Sequence, residues 1–431
     1  MQPEGATSGS RAWIALGMLT FVYVLNFLSR QLPSILASKI QENLHVSDAE
    51  LGLIGGLYFA LFYCGISVPV ARLADRTNRS LVLTAACAVW SSATMFCGTA
   101  GSYLQFVCGY MTVGFGEAGG VPPSYSIICD YFPTGRRGSA LGVFNFGPAL
   151  GAALGIAFGA SIAAAYSWRY AFLFLGGAGV LTAIAIPFVV HEPRRGALDG
   201  VANRPLSSTR TSFGKSLSLF FSRPSLVLAG LAAGANQLVT YGLGNFSVLF
   251  LMREKGMTLR EVAVWYALTV VIAMGASMFV CGRIIDRFAR RTKLAYALAP
   301  AVSLSLAIPW YLAFVWAPAW RLALPLLAVT FFLNYFYLSA MVTLVQEQVR
   351  ADQRVMSGAL LLLVMNFIGL GLGPTYVGAI SQFFRATHPQ HSLQLALYAL
   401  TPFYFVAVFL FLMLARVLRK ESAATSGETA P

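Results

Sequence analysis

The sequence predicts an all-α membrane protein of twelve transmembrane helices, arranged as two pseudo-symmetric six-helix bundles. Three observations predict it: twelve long apolar runs, a one-sided distribution of basic residues between them, and a charged loop that occurs twice. The 431 residues are 57% hydrophobic and 11% charged, with a mean hydropathy of +0.69. A soluble domain carries about 25% charged residues, so this composition belongs to a polytopic membrane protein.

A helix that crosses a bilayer needs about 20 mostly apolar residues. Runs of that length centre near Tyr23, Phe62, Trp90, Val113, Leu150, Gly177, Val239, Val271, Ala307, Leu333, Gly369 and Ala407. The first is too long for the core of a secretory signal, and the preceding MQPEGATSGSR lacks a basic region and a cleavage site, so it is expected to stay as a span. Gly114, Gly116, Gly119, Gly120, Pro122 and Pro123 crowd the fourth run, where they permit kinks and close helix contact. The tenth carries Asn334 and Ser339, which suits a helix with one face toward water.

Orientation follows from lysine and arginine. With alternate connections assigned to opposite faces, 22 of the 30 basic residues lie on the face carrying both termini and 7 on the other. The remaining one, Arg30, lies inside a run. The bias places both termini in the cytoplasm and suits a multi-pass protein of a cell membrane, of the bacterial inner-membrane kind. The net charge of +14 is thus assigned to orientation and contact with the bilayer. Nucleic acid is not an expected partner, because no basic face is interleaved with stacking aromatics.

After the second run comes ARLADRTNRS (Ala71 to Ser80), and after the eighth GRIIDRFARR (Gly282 to Arg291). Arg72, Asp75, Arg76 and Arg79 match Arg283, Asp286, Arg287 and Arg290 at a constant offset of 211. A second pair, RRGSALGVFNFG from Arg136 and RVMSGALLLLVMNFIG from Arg354, matches with a gap. The repeat divides the chain into residues 11–190 and 223–420, with a cytoplasmic linker over 191–222 and a tail over 421–431. A short amphipathic helix is predicted in the linker around Phe213–Phe221, lying on the membrane surface. Two parallel six-helix halves are the architecture of carriers that rock one half against the other.

Enzyme chemistry finds little support. The six cysteines have no CxxC spacing, and the four histidines (His45, His191, His388, His391) fall in connections. No Ser/His/Asp arrangement, phosphate loop, metal site or cofactor motif is evident.

Only Arg30 and Glu117 are ionisable and well inside apolar runs. Each costs at least roughly 2.5–3.5 kcal/mol at the middle of a bilayer, so the pair points to a polar site in a transporter core. Arg30 offers a planar, permanently charged fork to a phosphate or carboxylate. Glu117 is the group suited to a proton. The competing reading is a static ion pair that braces two helices. Helix periodicity puts Tyr23, Asn26 and Arg30 on one face of the first run, and Glu117 and Ser124 on one face of the fourth. At the cytoplasmic ends, Asp130 lies close in sequence to Arg136 and Arg137, and Glu347 to Arg350 and Arg354, as gate or orientation pairs.

The loop pattern G-x-x-x-D-R-x-x-R-R, complete at Gly282 and with Ala71 and Ser80 substituted in the first copy, resembles the signature loop of the major facilitator superfamily. LNFLSRQLPSIL (Leu25 to Leu36), GFGEAGGVPPSYSIICDYFP (Gly114 to Pro133) and NFIGLGLGPTYVGAISQ (Asn366 to Gln382) resemble the spinster family, proton-linked carriers of lysophospholipids and sphingoid lipids. The resemblance implies the major facilitator fold, with spans one, four, seven and ten lining a central cavity. Asn236, Tyr241 and Asn245 from span seven, and Asn334 and Tyr337 from span ten, would then join Arg30 and Glu117. It also implies a latch in which Asp75 and Asp286 pair with arginines of the Arg76/Arg79 and Arg287/Arg290 sets, the alternative being a solvated basic turn.

The chain departs from the spinster pattern at Ser29, where an Asp is usual, and at Gln382. If protons drive transport, Glu117 must then carry the coupling. The expected function is alternating-access transport of an anionic or zwitterionic amphiphile by a monomer. A proton-linked carrier of small organic anions is the nearest rival. A receptor or scaffold is the rival from another class.

Overall fold

The computed structural model describes residues 9–193, 213–289, 292–349 and 354–427, and among these the ordered elements are all helices. Eleven of them are long and apolar enough to cross a membrane. The twelfth expected span, the fourth, is two helices, Tyr103–Glu117 and Val121–Tyr131, joined by a turn over 118–120. The break follows from the sequence. Gly119 lets the turn pass close to Ala86, where a Cβ would lie 2.7 Å away, and a proline in the first turn of the second helix needs no backbone donor. The linker helix is present as Phe213–Ser222.

The chain forms two compact units. The first contains Met1–Val46, Tyr58–Ser208 and Thr258–Ala267; the second contains Ser47–Leu57, Thr209–Met257 and Leu268–Pro431. The opening turns of spans two and eight therefore belong to the unit that does not hold the rest of the span. In each case the change of unit falls at or beside a π-helical turn, Ile54–Tyr58 or Val262–Tyr266. Such turns are the usual sites of local re-aiming in a long helix.

Within the first unit, span one (Gly9–Ile35) packs on span five (Thr134–Ala165), and span three (Arg79–Thr99) on span six (Trp168–Val189). The same pairings recur inside the second unit. Span seven (Pro224–Arg253) packs on span eleven (Phe367–Leu372 and Gly373–Arg385), and span nine (Ala295–Trp316) on span twelve (Thr401–Gly427). The internal repeat read from the charged loops thus extends to helix packing.

Small residues set a close contact between spans one and five. A Cβ at Gly151 would lie 2.5 Å from the Val24 carbonyl, at Gly155 2.9 Å from that of Leu28, and at Gly159 2.9 Å from the Leu32 side chain. These glycines, four residues apart, form one stripe on span five. They let it approach the backbone of span one, where lipid gives no hydrophobic drive and close packing must hold helices together. That contact fixes the face of span one on which Arg30 stands.

Candidate functional site

Arg30 and Glu117 meet, an arrangement that fits both a polar site and a brace between two helices. Arg30 Nε donates to Glu117 Oε2 at 2.7 Å. The Arg30 side chain keeps 10% exposure and the Glu117 side chain none, so anything entering meets the guanidinium first and reaches the carboxylate behind it. Glu117 closes its helix, and the turn that follows points the chain away.

Ser29 Oγ lies 3.1 Å from Glu117 Oε1 and 2.8 Å from the Asn26 carbonyl, and it can donate to either. A hydroxyl has one proton and can also accept. With Glu117 ionised, the Ser29 proton serves one acceptor or the other. With Glu117 protonated, the carboxyl can donate to Ser29 while Ser29 donates to Asn26. The arrangement therefore accommodates both protonation states of the acid.

Three rings surround the base. The Arg30 guanidinium carbon lies 5.0 Å from the Phe27 and Phe59 centroids and 4.7 Å from that of Tyr63. Such contacts are worth roughly 0.5–2 kcal/mol each and hold the fork in place. Phe27 stands one turn before Arg30 on its own helix, whereas Phe59 and Tyr63 went unread because periodicity does not reveal which face of span two meets span one.

The other predicted residues divide. Asn26 is buried with its Nδ2 making no hydrogen bond. Tyr23 stacks on Phe144 at 4.5 Å between centroids. Ser124, in the helix after the break, gives its hydroxyl to the Gly120 carbonyl at 2.7 Å. In the second unit, Asn236 Nδ2 donates to the Asn334 carbonyl (2.9 Å), and Asn334 Nδ2 to the Tyr404 hydroxyl (2.9 Å). Asn245 Nδ2 donates to the Tyr241 carbonyl one turn back at 3.2 Å, and Tyr337 is buried. Asn236 and Asn334 are fully buried and fasten helices together.

At the charged loops, Arg79 is a buried hub. Its Nη1 donates to Asp130 and to Ser126, each at 2.6 Å, its Nε to Glu192 at 2.7 Å, and its Nη2 to the Pro193 carbonyl at 3.2 Å. One guanidinium thus joins the start of span three to the ends of spans four and six. Arg79, far from Asp130 in sequence, is one of its partners. Arg137 caps carbonyls of Cys129 and Phe132 at 2.8 and 2.9 Å. Glu347, expected near Arg350 and Arg354, accepts from Tyr296 at 2.7 Å. Arg76, Arg136 and Arg287 are exposed. The side chains of Asp75 and Asp286, and Arg290 and Arg350 altogether, lie outside the described residues.

A second ionic cluster went unread. Asp48, fully buried in the second unit, takes Arg253 Nη1 and Nη2 at 2.9 Å each, the Ser381 hydroxyl at 2.7 Å and Arg385 Nη1 at 3.5 Å. Gly378, one turn before Ser381, lets the Asp48 backbone approach, and Gly52 comes as close to the Pro374 carbonyl. In the sequence, Asp48 is the first residue after a Ser47 cap and reads as an ordinary helix-start acid.

A membrane protein of two repeated helical units, with a lone base–acid pair inside one of them, is the form of a solute carrier. The major facilitator superfamily model matches residues 19–374, and the chain belongs to that superfamily, whose members are transporters and not enzymes. It is 31% identical over 373 residues to an "MFS-type efflux pump" of Mycolicibacterium smegmatis, covering 86% of this chain and 85% of that one. It is 28% identical over 246 residues to the sphingosine-1-phosphate transporter SPNS2 of Danio rerio, covering 56% of this chain and 48% of that protein. The fold matches a crystal structure of a bacterial homolog of the human lysosomal transporter Spinster, in an inward-facing and unoccupied conformation. That match has a TM-score of 0.87 and 28% identity, over 96% of this chain and 98% of that one.

Proposed function

We propose that the protein carries an anionic or zwitterionic amphiphile of lysophospholipid or sphingoid type across a cell membrane by alternating access, coupled to protons through Glu117. The observation that supports this most is the layered site, with Arg30 partly open, Glu117 sealed behind it and aromatic faces around the base. The guanidinium receives one phosphate or carboxylate, and the rings receive apolar substrate. An anion on Arg30 competes with Glu117 for the same charge. Binding then weakens the hold on the carboxylate and favours its protonation, with Ser29 ready to accept the new proton's hydrogen bond.

Span ends supply the states. Asp48 holds the opening turn of span two in the second unit, and its ion pairs must part for that turn to move with the rest of the span. Arg79 holds the opposite ends of spans three, four and six together, on the side that lysine and arginine bias places in the cytoplasm.

The test is uptake into proteoliposomes of lysophospholipids and sphingoid phosphates beside a panel of small carboxylates, with Arg30→Ala and Arg30→Lys. Transport of the amphiphiles alone, abolished by alanine and poorly restored by lysine, supports the reading, since a point charge does not reproduce a bidentate fork. Transport of small acids alone would move the assignment to an organic-anion carrier.

A further inference from the structure

Three donors on one face of span one converge on a single carboxylate. Asn26, Ser29 and Arg30 stand at positions i, i+3 and i+4 of the helix Gly9–Ile35, so their side chains lie together. Arg30 Nε holds Glu117 Oε2 at 2.7 Å, and the Ser29 hydroxyl reaches Oε1 at 3.1 Å. The Asn26 amide lies close to the same carboxylate, yet its Nδ2 completes no hydrogen bond. All four residues belong to the first unit.

Asn26 is 3% exposed and the Glu117 side chain 0%, so solvent serves neither. A buried amide N–H without an acceptor is costly, and nearly all such groups in folded proteins find one. A carboxylate has about four acceptor positions, so Arg30 and Ser29 leave room for a further donor. The acceptor that Asn26 lacks is thus internal and already beside it. The short, charge-assisted bond to Arg30 sets where the carboxylate sits for now.

The remaining titratable groups nearby are Tyr110 on the helix of Glu117, Cys97 of span three beside Tyr110, and Tyr63 and Cys64 of span two around Arg30. Span three otherwise meets this helix through Trp90, which does not titrate. Phenols and thiols of this kind are neutral near pH 7. Arg30, Ser29 and Asn26 are therefore the groups that settle the charge of Glu117.

We propose that Asn26 is a positioning residue for the coupling acid: when a substrate anion draws the Arg30 fork away, the Asn26 amide takes its place on Glu117. The carboxylate then keeps a donor and stays ionised until a proton reaches it. Without Asn26, a buried carboxylate deprived of its arginine has the Ser29 hydroxyl alone and takes a proton even where protons are scarce. Asn26 thus sets the pH range over which substrate binding and protonation are tied together. The inference rests on the proton-coupled reading of the Arg30–Glu117 site, and it gives Asn26 a role apart from contact with substrate.

Infrared difference spectroscopy of the purified full chain tests it, through the carboxyl C=O band that Glu117→Gln removes. Arg30→Gln stands in for the state in which the fork is drawn away. In that background Asn26→Leu, which keeps the volume and loses the donor, should move the midpoint of the band about one to two pH units higher, the worth of one hydrogen bond to a charged group. Asn26→Gln, which keeps an amide, should stay near the Asn26 value. An unmoved midpoint in Asn26→Leu overturns the proposal. In proteoliposomes, Asn26→Leu alone should carry lysophosphatidylglycerol with its pH profile displaced in the same direction. A changed half-saturating concentration with an unmoved profile makes Asn26 a substrate contact and overturns the proposal as well. Wild-type uptake indifferent to pH defeats the proton-coupled reading instead, and the infrared midpoints still decide whether Asn26 acts on Glu117.

Discussion

The opening turns of spans two and eight are built alike and held differently. Ser47 and Glu50 form a complete capping box, and so do Thr258 and Glu261, at the same offset of 211 that relates the charged loops. Each box leads into a π-helical turn, and each opening segment joins the unit that lacks the rest of its span. Beyond that the copies part. Asp48 is bound by two arginines and a serine, whereas its counterpart in the second copy is Leu259, and the neighbouring Arg260 makes no ion pair among the described residues. Both copies carry the device that starts the helix, and among the described residues the ionic clamp is seen on one of them.

The largest expected effect comes from Asp48→Asn. It removes the buried carboxylate that Arg253, 23% exposed, and Ser381 bond to, and should cost on the order of 1–3 kcal/mol of local stability. Hydrogen exchange should rise across residues 47–57 and stay unchanged across 258–267. An equal rise in both segments would break the distinction drawn between them.

A smaller and symmetrical effect is expected from the caps. Ser47→Ala and Thr258→Ala should each cost about 1 kcal/mol, read as a modest fall in unfolding temperature, because the two boxes are equally complete. A cost confined to one of them would show that the second box is not bearing on stability.

The smallest effect is expected from Arg385→Gln. Its contact with Asp48 is long, 3.5 Å, and its side chain is 46% exposed. Such a pair contributes about 0–1 kcal/mol. Arg253→Gln, which loses two shorter contacts, should exceed it clearly in both exchange and unfolding temperature.

The same contrast shows what a sequence can reveal about this protein. Spans were legible because each must be apolar for about 20 residues, and the Arg30–Glu117 pair because both charges sit where charge is costly. Span four broke where its glycines and prolines allowed. Asp48 stayed hidden because an acid after a Ser cap has a local explanation, and its partners lie roughly 200 and 340 residues away. Glu192 was hidden in the same way, at the mouth of a polar linker, although it shares the Arg79 hub. Asn236 and Asn334 were legible as polar residues inside spans, but it was not legible that their Nδ2 groups bond across helices while each Oδ1 is left unpartnered. A polar side chain inside a span can line a cavity or join helices, and only the neighbouring helix decides between them.

The central claim, that Glu117 is the proton-carrying half of a substrate site fronted by Arg30, is tested most directly by reconstituting wild type and Glu117→Gln and imposing a pH gradient. The wild type should concentrate its amphiphilic substrate against a gradient. Glu117→Gln should exchange substrate across equal concentrations yet fail to concentrate it, because glutamine keeps the shape and hydrogen bonding of the site without a proton to move. A Glu117→Gln variant that still concentrates substrate, or a wild type indifferent to the pH gradient, would contradict the account.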